Sequence, residues 1–420
     1  MLDRTIPPKF KEIETIDFPW TERHMLQNKV PLYLLNIGHQ PIIALELIFK
    51  SGSCYELHPG AAYFTAAMLL EGTATKHTQA IAQIIDYYGA TISTCVQRDF
   101  CTISLSTLAK HLDPLLDLLV ELLLTPSFPE KPLQLLKNVK TQAIQMADKK
   151  NNQVAYKRFC TALFTAAHPY GSHLTVQDVA HIQRDHLCHH YAQTFFNDCT
   201  AFVSGQVTPV ALQRIKASLA HLSVKSGLPV DPIPSGNLPE KIDLADGSHL
   251  QSAIVIGKKL LVKQEADFLP MVVVNTLLGG YFGSRLMRNI REDKGYTYGI
   301  YSNMVALLQA GYLTISTEVA QEVTKQTIQE IYKEIEILQH EPVTEEALQN
   351  VKNYLLGHFL TTINDPFSIM QKFQTAYLHG LDQSYYVAFY HQVRNITPLE
   401  VRNLAQKYLS LDSFTEVVVR

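Results

Sequence analysis

Leu136-Lys137-Asn138-Val139-Lys140 returns as Leu348-Gln349-Asn350-Val351-Lys352, 212 positions further along, and this repeat constrains the fold more than any other feature. Thr102-Ile103-Ser104 returns as Thr314-Ile315-Ser316 at the same offset, and Ala192-Gln193 as Ala405-Gln406 at 213. Each match is short. Three in one order, at about half of a 420-residue chain, favour an internal duplication.

The order of predicted elements repeats with the motifs. Ile42 to Phe49 alternates as a strand does, a helix is expected from Ala61 to Leu70, and Ile81, Ile84, Ile85 and Tyr88 fall at helical spacing. Ala90 to Ser106 reads as half-buried antiparallel strands. A helix follows with Leu112, Leu115, Leu116, Leu119, Leu122 and Leu123 on one face and Asp113, Asp117 and Glu121 on the other. The second half repeats the series: a strand from Gln251 to Ile256, a helix before Gly279, strands from Tyr296 to Thr317, and a helix carrying Ile328, Ile331, Ile335 and Leu338. Between the halves, Gly227, Pro229, Pro232, Pro234, Gly236 and Pro239 make a linker. The expected architecture is α+β, with two similar domains, 1–222 and 242–420, joined by a linker at 223–241. Each would pack an antiparallel sheet against helices, and the two would face each other across a cavity.

With 46% apolar residues the chain can bury a large core, and a net charge of −3 with scattered Lys and Arg gives no footprint for nucleic acid. No apolar run is long enough to span a bilayer. Six cysteines without a Cys-x-x-Cys pair read as buried free thiols in a reducing compartment. MLDRTIPPKF has no secretory pattern, so a cytoplasmic location is expected, and a periplasmic one would require a signal already removed.

Two segments carry chemistry. Gly60-Ala-Ala-Tyr-Phe-Thr-Ala-Ala-Met-Leu-Leu-Glu-Gly72-Thr73 resembles the segment that holds the inverted zinc motif, His-x-x-Glu-His, in pitrilysin-type peptidases such as the mitochondrial processing peptidase. Leu277-Leu-Gly-Gly-Tyr-Phe-Gly-Ser-Arg-Leu-Met-Arg-Asn-Ile-Arg-Glu-Asp-Lys-Gly-Tyr-Thr-Tyr298 is similar to that family's C-terminal consensus almost residue for residue. His168-Pro169-Tyr170-Gly171 and the closing stretch Ile396 to Tyr408 also resemble the family, so the likeness covers nearly the whole chain. It implies the processing-peptidase-like metallohydrolase fold.

The same alignment of motifs empties the metal site. The histidine slots fall on Tyr63 and Ala67, the general-base slot on Ala66, and the third-ligand slot on Ala143. A catalytic zinc needs three protein ligands and an open position for water, and methyl groups and a phenol supply none of the usual ligands. No metal or other cofactor is therefore expected on this chain. His186-Leu187-Cys188-His189-His190 is no substitute, because adjacent histidines on a helix point about 100° apart.

Arg291 and Tyr298 match the family's arginine and tyrosine, which contact the scissile peptide from the opposite half or from a partner subunit. Arginine grips carbonyls with a rigid fork of donors, and a tyrosine hydroxyl donates to an oxyanion. Arg291 is expected at a helix end and Tyr298 on the next strand, with Gly295 turning the chain between them. Leu-Gly-Gly-Tyr-Phe-Gly-Ser lacks the frame of a phosphate-binding loop, and close helix–sheet packing accounts better for its glycines. Gly89 to Arg98 resembles the edge strand on which the family's substrates add as an extra strand.

The resemblance implies that a chain with an empty motif beside an intact pair is a non-catalytic, substrate-binding subunit of a heterodimeric zinc endopeptidase. On this reading the partner is a homologous subunit bearing His-x-x-Glu-His and the zinc, and the substrate is a peptide. Self-pairing of the isolated chain stays open. The alternative is a non-enzymatic scaffold or peptide-binding homologue with no peptidase role.

Overall fold

The computed structural model describes residues 5, 15, 18–229, 232–233, 238–245 and 250–420. The expected linker falls partly on 230–231 and 234–237, outside the described residues, as does most of the segment before residue 18.

Strands β1 (Glu22–Met25), β2 (Pro31–Asn36), β3 (Ile42–Phe49), β4 (Thr91–Val96), β5 (Cys101–Leu108) and β6 (Thr200–Gly205) form one sheet in the order β1-β2-β6-β3-β5-β4. Strands β7 (Lys241–Leu244), β8 (Gln251–Leu260), β9 (Ile300–Ala306), β10 (Gly311–Ala320) and β11 (Thr415–Val419) form the second, ordered β7-β11-β8-β10-β9. Apart from the extra β1, the two orders are the same pattern of connections. Each sheet contains one parallel pair, β2 with β6 and β7 with β11, so the antiparallel expectation needs that correction. The physical reason is that each parallel partner returns only after a long, largely helical crossover.

Alternation along the strands divides the core by face. Leu45 and Leu47 of β3, with Ala201 and Val203 of β6, face the helices of the first half, including Ala61–Met68 and Leu112–Leu124. Ile48 and Phe202 point the other way, onto the helix Pro366–Leu378 of the second half through Ile369, Met370 and Phe373. The second sheet reciprocates. Ile254 and Ile256 of β8 face their own half's helices. Ala253 and Val255 meet Ala155 and Phe159 of the helix Asn151–Phe164, which belongs to the first half. Each half thus lends one helix to cover the other half's sheet.

Polar contacts lock the same junction. The Tyr170 hydroxyl donates to Asp99 at 2.6 Å, and Asp99 accepts from the Leu308 amide at 3.3 Å, across the two halves. His168 Nδ1 accepts from the Tyr170 amide at 3.1 Å, so His-Pro-Tyr-Gly serves to hold this turn. Gly171 lies 2.1 Å, as measured from an added Cβ, from the Thr165 carbonyl oxygen, which leaves no room for a side chain.

Candidate functional site

Gly60 opens the helix Ala61–Met68 at a left-handed φ of 92°, where glycine avoids the cost a Cβ would bring. Glu56 caps that helix, its carboxylate accepting from the Gly60 and Ala62 amides at 2.9 Å each. Burial pushes the Glu56 carboxyl up to about 7, against the pull of those two donors. Tyr63 and Ala67, one turn apart, lie half-buried on one face, Ala66 is buried, and Ala143 is exposed on the helix Glu130–Asp148. The structure brings the ammonium of Lys140, one turn before Ala143, to 3.9 Å from the centre of the Tyr63 ring. Four residues without an ordinary zinc donor set and a resident cation do not fit a zinc ion. Among the described residues, no group of three or more His, Cys, Asp or Glu is arranged to hold a metal.

Around Tyr63 and Lys140 opens a cleft of about 1220 Å³. Its lining includes Glu56, Arg98, Asp148, Lys157, Arg158, His173 and Asp178. Burial, and next the charge of Arg98, hold the His173 imidazole down to about 4, and Arg98 lies 3.4 Å from its Nδ1. Desolvation lowers the proton affinity of Lys140. Sequence reasoning missed Lys140, Glu56 and His173; the ring contact joins two helices far apart in the chain. Arg98, quoted only as the end of an edge-strand motif, follows β4, which does lie at the sheet edge.

The second segment is built differently. The π-helical turn Met287–Asp293 carries Arg291. Its frame is fastened to the helix Thr324–His340. Arg285 pairs with Glu334 at 2.8 Å, Asn289 donates to Glu334 at 2.7 Å and to Glu330 at 2.9 Å, and Lys294 lies 3.5 Å from Glu330. The hydrogen bond from Asn289, aided by the charges of Lys294 and Lys333, holds Glu330 below the usual carboxylate range. A Cβ on Gly279 would lie 2.8 Å from Ser302, which bears out the close-packing explanation for that glycine.

Gly295 turns the chain with φ 65°, as expected. Tyr298 does not sit on the strand: it precedes β9, in a bend, because pairing with β10 begins only at Ile300. Its side chain is 94% exposed and has no hydrogen-bond partner among the described residues. Arg291 is half-buried and rests its guanidinium 4.5 Å from the centre of the exposed Phe282 ring. The cleft around Tyr63 is lined only by residues between Ser53 and Asp178, so the fold does not bring Arg291 and Tyr298 into it.

The remaining candidates are structural. In the His-rich helix Arg184–His190, His190 is buried, His186 stacks on His58 at 3.9 Å, and Leu187 accepts from the Thr65 hydroxyl at 3.4 Å. The six cysteines are free thiols, but only Cys101, Cys160 and Cys199 are buried, which corrects the expectation that all are: Cys54 and Cys188 are half-buried, and Cys95 is exposed on the outer face of edge strand β4. No helix among the described residues is long and apolar enough to cross a membrane.

Comparison with known proteins covers both segments. The family described as Insulinase (Peptidase family M16) matches residues 34–176, and the one described as Peptidase M16 inactive domain matches 181–355. An uncharacterized zinc protease, YmxG, of Bacillus subtilis is 23% identical over 84% of this chain and 86% of its own length. A protein named non-peptidase homolog YmxG, of Helicobacter pylori, is 24% identical over 95% and 94%. Among solved structures, an M16 inactive domain from Pseudomonas fluorescens superposes with a TM-score of 0.86 at 22% identity, covering 95% of this chain and 98% of that one. A protease from Helicobacter pylori superposes equally well, at 0.86 and 15% identity, covering 96% and 100%.

Proposed function

The chain belongs to the M16 peptidase family, and from that premise we propose that it is a non-catalytic, substrate-binding subunit of a heterodimeric zinc endopeptidase. A homologous partner supplies His-x-x-Glu-His and the zinc, and this chain supplies Arg291 and Tyr298 to the peptide held there. The observation that carries the reading is Tyr298: a tyrosine 94% exposed, unpartnered, at the tip of a firmly braced turn. Tyrosine in that position stabilises nothing in this chain, and its hydroxyl is free to donate to an oxyanion elsewhere. The shared strand order of the two halves supports an internal duplication, from which two such chains present four related domains.

Co-expression with a His-x-x-Glu-His homologue from the same genome tests the reading. A stable complex that cleaves peptides and carries its zinc on the homologue is expected. Zinc bound stoichiometrically by this chain alone, or failure of the two chains to associate, would overturn it. The second reading, a non-enzymatic scaffold, is favoured by the name of the Helicobacter pylori relative, a non-peptidase homolog. It is the outcome if the chain pairs only with itself and no pairing yields cleavage.

A further inference from the structure

The cleft around Tyr63 holds an imbalance of charge that the proposed pairing does not use. Its three carboxylates are occupied. Asp148 pairs with Lys157 at 2.6 Å, Asp178 accepts from the Thr175 amide and hydroxyl at 2.8 and 2.6 Å, and Glu56 accepts from two amides. Its other cations are not. Arg98, Lys140 and Arg158 line the same space, and none has a carboxylate within ion-pair distance among the described residues. Arg98 is steadied by His173, Lys140 by the Tyr63 ring, and Arg158 stands exposed at the rim.

We propose that this cleft is a carboxylate-binding pocket, in which Arg98, Lys140 and Arg158 hold an acidic side chain or the C-terminal carboxylate of a bound peptide. The route in is set by the fold. Val96, Gln97 and Arg98 continue from edge strand β4 into the cleft wall, so a peptide paired along β4 runs toward the three cations. Arginine offers two parallel donors to a carboxylate, and partial exclusion of water strengthens the attraction of all three charges. The half-buried ammonium of Lys140 gains most, because it now has an aromatic face where it lacks a counter-ion.

Isothermal titration of the full chain tests this with three short peptides of one sequence. One carries glutamates and a free C-terminus, one replaces the glutamates by glutamines, and one is amidated at its C-terminus. Affinity should fall at least about tenfold with the glutamine or the amide peptide, and whichever falls identifies the source of the carboxylate. Arg98→Gln and Lys140→Met should each erase that preference. Arg158→Glu, at an exposed position away from the core, should do the same and guards against a variant that fails to fold. Equal affinity for all three peptides, or a preference untouched by these substitutions, overturns the pocket. The proposal rests on the peptide-binding reading only for the bearer of the carboxylate, and glutarate, followed by NMR shifts, separates the two. Glutarate binding that Lys140→Met abolishes, with no peptide bound, keeps the pocket and removes the peptide.

Discussion

In the helix Ala61–Met68 the side chains at the family's metal positions have local reasons to be there. Ala66 is buried, Tyr63 carries a lysine on its ring, and Glu56 caps the first turn. In the turn between Arg285 and Tyr298 the bracing residues have such reasons and the presented ones do not. Glu330 and Glu334 fix the backbone, while Tyr298 projects into solvent and Arg291 leans on another exposed side chain. A side chain that packing explains says little about function. One that packing leaves over, on a frame built to hold it still, marks where function is to be sought.

The strongest test of that contrast is turnover. In a complex with the zinc-bearing homologue, Arg291→Ala or Tyr298→Phe should each lower kcat by about 10²–10³ with the complex intact. Unchanged kcat would make the leftover residues ornamental. The opposite pole is probed by pH. Burial, and next the charge of His189, hold His190 down to about 4 from 6.5, so the folded state refuses a proton that the unfolded chain accepts. Its contribution is fully present above pH 6.5 and is lost as pH falls toward 4, by about 3 kcal/mol in all. His173, held down in the same way, and Glu56, pushed up, also titrate in this window, so the test is the difference between parent and His190→Phe. Chemical denaturation should show the parent losing about that much more than the variant between pH 7 and 4.

Rebuilding the metal site sharpens the comparison further. Tyr63→His, Ala66→Glu, Ala67→His and Ala143→Glu together should bind zinc about 100-fold more weakly with Lys140 retained than with Lys140→Gln, because an ammonium near the ion repels it. Equal affinities would mean that Lys140 swings clear. Among stability effects, Glu334→Ala should cost about 2 kcal/mol by stranding Arg285 and Asn289. Tyr298→Ala should cost less than about 0.5 kcal/mol, and urea titration of the two variants measures the gap between frame and cargo.

Much of this was legible in the sequence. Periodicity located the strand Ile42–Phe49 at its observed bounds and placed the apolar face of the helix Leu112–Leu124, because a one-sided apolar pattern has few other solutions. Motif likeness located Tyr63, Ala66 and Ala67 on one helix. What could not be read depended on contacts across long separations. Lys140 over Tyr63 joins residues of two helices, and the parallel partner of β2 arrives only at Thr200. Tyr298 was displaced from its expected strand because β-propensity does not say where pairing with β10 begins.

The exchange of helices between the halves has a consequence for anyone who would divide the chain. Severed near residue 230, each fragment would carry a helix meant for the other and leave one face of its own sheet bare, with Phe202 in one and Val255 and Val417 in the other turned toward water. Such fragments should aggregate when made singly and dissolve when made together, each acting as the other's missing lid. The chain is in that sense a clasp of two hands, and a break in the polypeptide near its middle need not open it.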